Sequence, residues 1–223
     1  MSDRQARRAG VRAGRQAVRR PGLAAGSPRR AATAVSHLVR LAHHRWSIPV
    51  LAVLGPRGAR ISELAHRLGG SRAAVRQAAE ALVRMGLVAP VGGHGHPLRP
   101  EVSLTEAGER VADVARRLED AVERTGAGEL ARRKWTLPVL LAIGERPSRY
   151  GEVRRAIGSV TDRALSGALR DLERAGLASR EVLQHTPPAT RYRLTGAALE
   201  VASAAKELLA ALGSPGAPHD AGS

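Results

Sequence analysis

The stretch RYGEVRRAIGSVTDRALSGALRDLERAGL, residues 149–177, decides the fold. It reads as a short helix from Tyr150 to Ile157, a turn at Gly158-Ser159, and a longer helix that Thr161 caps and Gly176 ends as a C′ glycine. Within the longer helix Leu165, Ala168, Leu169 and Leu172 recur at helical spacing and form the inward side. Arg163, Ser166 and Arg170 then point outward. This is helix, turn, helix.

The same sentence is written earlier in the chain. Arg60-Ile61-Ser62-Glu63-Leu64 matches Arg149-Tyr150-Gly151-Glu152-Val153 at an offset of 89 residues, and Trp46-Ser47-Ile48-Pro49-Val50-Leu51 returns as Trp135-Thr136-Leu137-Pro138-Val139-Leu140 at the same offset. Leu82 to Leu87 matches Leu172 to Leu177 at 90, so the second copy gained one residue near Ser159. The repeat covers about two thirds of the chain and implies two units of like fold. In the first copy the short helix is Ile61 to Leu68, Gly69-Gly70 is the turn, Ser71 is the cap, and the second helix runs to Gly86. Val75, Ala78, Ala79 and Leu82 face inward there, with Arg72, Arg76 and Gln77 outward.

Flanking elements repeat as well. A lead-in helix over 31–44 places Val35, Leu38, Val39 and Leu41 on one side. Ser47 and Thr136 are expected to cap the next helix, two residues before Pro49 and Pro138, and that helix ends near Gly55 or Gly144. Beyond the C′ glycines, Leu87 to Val91 with Glu101 to Leu104, and Leu177 to Leu183 with Thr190 to Leu194, read as paired strands around Gly/Pro loops, which are wings. A last helix follows each wing, with apolar stripes Ala107, Val111, Val114, Leu118, Ala121 and Ala197, Val201, Ala204 or Ala205, Leu208, Leu212 suited to packing on another helix. The expected fold class is therefore mostly α with small β wings, a tandem winged helix-turn-helix in two copies. Its expected domains are an Arg-rich arm (1–30), copy one (31–126), copy two (127–213) and a tail (214–223).

Charge separates along the chain. The net charge is +16 over 223 residues, and the first thirty residues hold nine Arg against Asp3. Seven Arg and three acids lie in 57–101, whereas Glu106, Glu109, Asp113, Glu119, Asp120 and Glu123 crowd the helix that follows. A basic surface backed by an acidic helix suits a polyanion-binding module, although solvation of exposed faces accounts equally well for any single Arg. With no cysteine there is no disulfide, thiolate zinc site or thiol sensor. No apolar run reaches the length that crosses a bilayer and no leader pattern opens the chain, so a cytoplasmic, nucleoid-associated location and no membrane partner are expected.

The second copy resembles the HxlR-type winged-helix transcriptional regulators. The likeness rests on Lys134-Trp135-Thr136, Arg149-Tyr150-Gly151-Glu152-Val153, Thr161 with Leu165, Leu169-Arg170-Asp171-Leu172-Glu173, Gly176-Leu177, Pro187-Pro188 and Tyr192-Arg193-Leu194-Thr195. The first copy keeps the skeleton more loosely, in Trp46, Arg60, Glu63-Leu64, Ser71, Val75-Arg76-Gln77, Gly86-Leu87 and Leu104-Thr105-Glu106-Ala107-Gly108, and is similar to MarR-type regulators too. The resemblance implies transcription regulation through double-stranded DNA and a homodimer formed through terminal helices, and, because this chain links two copies where such regulators usually have one, an arrangement as a fused pseudo-dimer. Gly167-Ala168 stand where such regulators carry longer polar side chains, and the N-terminal cysteine often found among them is absent.

In this architecture the helix after the turn enters the major groove. The expected DNA-binding residues are Ser71, Arg72, Arg76, Gln77 and Arg99 in copy one, and Thr161, Arg163, Ser166, Arg170, Arg180 and Arg191 in copy two. Arg suits guanine edges or phosphates, Gln suits adenine, and a capping hydroxyl with free N–H groups can also hold a phosphate; Ser71 and Thr161 equally well serve only as caps. Wing residues His94, His96, Arg99, Arg180, His185 and Arg191 are placed for phosphate or minor-groove contact, or for loop solvation. The histidines, with His43 and His44, lack the thiolates and carboxylates of a metal centre, so no metal and no cofactor are expected. Two Trp and two Tyr give no stacking platform for single strands. No phosphate loop, His-Glu-x-x-His or nucleophile triad is present, so no enzyme is expected. The alternative is a winged-helix scaffold that docks protein partners in chromosome organisation.

Overall fold

The computed structural model describes residues 36–91, 101–144, 146–183 and 189–213. The expected arm and tail, and the wing residues His94, His96, Arg99, His185, Pro187 and Pro188, lie outside the described residues. In copy one, helix α1 (36–41) leads to α2 (Ser47–Val53), β1 (Ala59–Arg60), α3 (Ile61–Leu68), α4 (Arg72–Arg84), β2 (Val88–Pro90), β3 (Glu101–Leu104) and α5 (Glu106–Thr125). Copy two repeats this order as α6 (Gly128–Ala131), α7 (Thr136–Ile143), β4 (Ser148–Arg149), α8 (Tyr150–Ile157), α9 (Asp162–Arg174), β5 (Ala178–Leu183), β6 (Ala189–Leu194) and α10 (Gly196–Leu212). Two winged helix-turn-helix units stand in tandem, mostly helical with small sheets.

The starts of α2 and α7 differ from expectation. Their N-caps are Trp46 and Trp135, neither with a side-chain cap, and Ser47 and Thr136 are instead the first helical residues. A tight turn precedes each helix, with the Ser47 and Thr136 amides donating to His44 and Arg133 carbonyls at 3.0 and 3.1 Å, so both hydroxyls are carried inside. Both side chains are buried, and Ser47 Oγ finds no partner. The lead-in helix also stops at residue 41, giving way to that turn, while Leu38 and Leu41 are fully buried as expected. The caps of the longer helices behave as expected: Ser71 Oγ accepts the Ala74 amide at 3.2 Å and Thr161 Oγ1 that of Ala164 at 3.3 Å. Gly86 and Gly176 follow at φ 63° and 68°, the left-handed geometry a side chain resists.

Each wing is one strand wider than the sequence suggests. The sheets are antiparallel with orders β1-β3-β2 and β4-β6-β5. The added strands β1 and β4 pair Ala59 with Val102 and Ser148 with Tyr192, tying the start of each short helix to the wing. A two-residue strand carries no alternation to read.

The copies share one hydrophobic core, running from Leu38 through Leu118 to Leu208 and Leu212. α5 and α10 pack along each other, and their surface ion pairs give the direction. Arg117 binds Glu207 at 2.8 Å, and Arg124 pairs with Glu200. Moving up α5 therefore moves down α10, so the helices are antiparallel. Residues 117 and 207 are equivalent positions, 90 apart, and their contact lies on a pseudo-twofold axis. A second junction sets Arg45 against Glu129 at 2.8 Å and Arg132 over the Trp46 ring at 5.0 Å. The terminal-helix surface that the family resemblance assigns to homodimer formation is engaged here within one chain.

Candidate nucleic-acid interface

α4 buries Val75, Ala78, Ala79 and Leu82, which turns Arg72, Arg76 and Gln77 to solvent. Ser71, also exposed, leaves its hydroxyl at the helix N-terminus. Among the described residues the ion pairs of copy one fall on α3, on α5 and on contacts with copy two, as in Glu63–Arg67 and Glu106–Arg110, and none falls on α4. This helix presents Arg72, Arg76 and Arg84 against the single acid Glu80. Exposed guanidiniums beside free N-terminal amides form a surface that favours phosphate.

α9 buries Leu165, Leu169 and Leu172 as expected and exposes Thr161, Arg163 and Arg170. Ser166 is different: it is half-buried, with its Oγ 3.3 Å from the Tyr150 hydroxyl. The expectation that it points freely outward is corrected, because the aromatic residue opening α8 reaches over the first turn of α9. Tyr150 Oη also lies 3.1 Å from the Asp162 carbonyl and 3.2 Å from Asp162 Oδ1, and the Arg154 guanidinium binds the same carboxylate at 2.8 Å. Asp171 is held by Arg133 at 2.6 Å and Arg174 at 3.4 Å. α9 thus sets Asp162, Asp171 and Glu173 against Arg163, Arg170 and Arg174, so its charges cancel where those of α4 do not.

The wing residues divide. Arg180 is exposed and opposite Tyr192 in register; burial raises the Tyr192 phenol above its ordinary range, Glu173 adds to this, and Arg180 opposes it. Arg191 is half-buried in the central strand, opposite Glu181 on one side and Arg149 on the other, a less open place than a wing tip. Arg99 is outside the described residues. The structure therefore gathers Ser71, Arg72, Arg76 and Gln77 on one helix start, and Thr161, Arg163 and Arg170 on the other. The Tyr150–Asp162–Arg154 cluster was missed by reading the sequence. Its only signal is an acid at the first position of a helix, where the dipole favours it anyway.

The family model for the HxlR-like helix-turn-helix matches residues 41–128 and again 130–215. Among curated proteins, an uncharacterised HTH-type transcriptional regulator of Methanothermobacter thermautotrophicus is 40% identical over 62 residues, covering 28% of this chain and 47% of that protein. The uncharacterised HTH-type transcriptional regulator YdzF of Bacillus subtilis is 38% identical over 63 residues, with 28% and 58% covered. The chain spans about half the length of the curated relatives it matches. A crystal structure of a MarR-family transcriptional regulator from Porphyromonas gingivalis is similar at 31% identity and a TM-score of 0.37, over 41% of this chain and 87% of that one. With its two matched segments together spanning most of the sequence, the chain belongs to the HxlR-like helix-turn-helix family and carries the family's domain twice.

Proposed function

We propose that this protein is a transcriptional regulator that binds specific double-stranded DNA through two fused winged helix-turn-helix units. The observation that carries the reading is the pair of helices α4 and α9, each turning arginines outward in its N-terminal half, set about the pseudo-twofold axis of α5 and α10. Such a pair suits successive major grooves, with phosphate contacts for register and Arg72, Arg76, Gln77, Arg163 and Arg170 at base edges. Because the outward residues of the copies differ, the two half-sites differ in sequence. Arg180 adds a wing contact from copy two, and Ser166 acts through its tie to Tyr150.

Genome-wide crosslinking of the native protein supplies the operator, and fluorescence anisotropy on that duplex tests the reading. With about six phosphate contacts, log affinity falls against log salt with a slope near −5. Replacing Arg72, Arg76, Arg163 and Arg170 together by Ala abolishes specific binding. Diffuse occupancy, a slope near zero, or full binding by the fourfold variant overturns the proposal.

A further inference from the structure

Copy two opens its reading helix with a carboxylate that copy one lacks. Three positions change together between the copies: Tyr150, Arg154 and Asp162 stand where copy one has Ile61, Ala65 and Arg72. Ile61 and Ala65 are buried apolar residues with nothing to offer a polar group. In copy two the Arg154 Nε lies 2.8 Å from Asp162 Oδ1, and the Tyr150 hydroxyl lies 3.2 Å from the same oxygen. Asp162 is thus held in place, yet 66% of its side chain stays in solvent. Both contacts fall on Oδ1, and a carboxylate carries lone pairs on two oxygens, so accepting capacity remains.

The face beside it is low. Where copy one carries Arg76 and Gln77, copy two carries Ser166 and Gly167. Ser166 lies one turn from Asp162 and is tied back to the same tyrosine hydroxyl. A Cβ built on Gly167 would meet nothing within 4 Å, so no packing inside the chain calls for a glycine there, although glycine weakens a helix interior. Small residues at these two positions let the backbone of α9 approach a partner closely, within reach of a side chain as short as Asp162. The helices therefore present different chemistry: long cationic donors on α4, and a short, restrained acceptor at the start of α9.

We propose that Asp162 is a specificity-determining residue of copy two, accepting a hydrogen bond from the N4 amine of a cytosine in the major groove, with Tyr150 and Arg154 as its positioning residues. This role rests on the DNA-binding function proposed for α9. The choice of base follows from the donors in that groove. Only cytosine N4 and adenine N6 donate there; adenine sets its N7 acceptor beside the amine, where it repels the second carboxylate oxygen, and guanine and thymine offer acceptors. Cytosine is left. The Arg154 guanidinium offsets the charge that the carboxylate brings near the phosphates. In copy one Arg72 takes this place and draws a phosphate to the helix start instead.

The full chain is used to enrich sequences from a random duplex library, and the pool is sequenced. One half of the enriched site is expected to hold a position where cytosine is preferred about tenfold. Asp162→Asn moves that preference to adenine, whose N6 and N7 suit an amide, and Asp162→Ala flattens it. In both variants the half read by copy one is unchanged. Tyr150→Phe keeps cytosine at the position but lowers the preference to about threefold, since the carboxylate is less restrained. N4-methylcytosine placed there in the enriched duplex keeps its base pair and sets a methyl group in the groove where the proton was. It weakens binding by the unaltered chain about tenfold and leaves Asp162→Ala unaffected. A base preference that no Asp162 variant moves, or N4-methylcytosine bound as tightly as cytosine, overturns the role of Asp162 and leaves specific DNA binding standing. A pool with no shared sequence overturns both.

Discussion

Single residues set the two reading helices apart. Asp162 occupies the first position of α9, where its carboxylate satisfies the helix dipole and Arg154 but opposes an approaching phosphate; its counterpart in copy one is Arg72. Asp162→Asn is expected to tighten binding to unrelated duplex by about threefold at low salt, an effect that fades as salt screens it, measured by anisotropy. The caps are simpler. Ser71→Ala and Thr161→Ala each cost about 1 kcal/mol in chemical denaturation, since each hydroxyl satisfies one amide. Glu119 contributes a pH dependence. It is half-buried beside Arg132, 3.7 Å away, and burial raises its carboxyl above the ordinary value, outweighing the pull of that guanidinium. A raised acid holds its proton more tightly folded than unfolded. The native state is thus favoured at low pH, and this contribution is lost as pH rises from the unfolded value through the folded one. Relative to Glu119→Gln, the unaltered chain should gain stability as pH falls through that window and lose it toward neutrality, in denaturation series run on both.

At the scale of elements, the helix-turn-helix pairs were legible because each rule agreed: apolar spacing, a capping hydroxyl and a glycine stop coincide at Thr161 to Gly176 and at Ser71 to Gly86. The boundaries of α3 and α8 follow the sequence reading for the same reason. Where a rule stood alone it misled. Ser47 and Thr136 look like caps, but Trp46 and Trp135 end a turn whose backbone supplies the bonds, and the hydroxyls go inside. The stripe on α5 proved broader than expected, adding Ala112, Ala115 and Val122, because α2 and α10 press on it from two sides. Gly108 belongs to this scale. Gly108→Ala should cost about 2 kcal/mol, since neither the helix nor the Leu87 carbonyl can give way without moving α5, and thermal melts provide the check.

For the whole molecule, fusion changes what symmetry permits. In a homodimer of identical helices the residue on the twofold axis meets itself, whereas here Arg117 meets Glu207. Both are more than half exposed, so Glu207→Arg is expected to cost no more than about 1 kcal/mol. Leu208 lies fully buried in the same seam, and Leu208→Ala should cost about 3 kcal/mol. The shared core further implies that neither copy unfolds alone. Trp46→Phe and Trp135→Phe each leave one fluorescent reporter, in opposite copies, and the two denaturation midpoints should coincide once each variant's own stability loss, read by circular dichroism, is allowed for. Separate transitions would show independent domains.

The sequence by itself determined two winged helix-turn-helix units, their order, and which face of each reading helix is apolar. These properties are local or periodic, and the repeat states them twice. Only the tertiary structure decided the antiparallel seam of α5 and α10, the restraint of Ser166 by Tyr150, and the three-stranded form of each wing. Each of these depends on which surfaces meet across long separations, and a helix stripe records that a partner exists without recording which one.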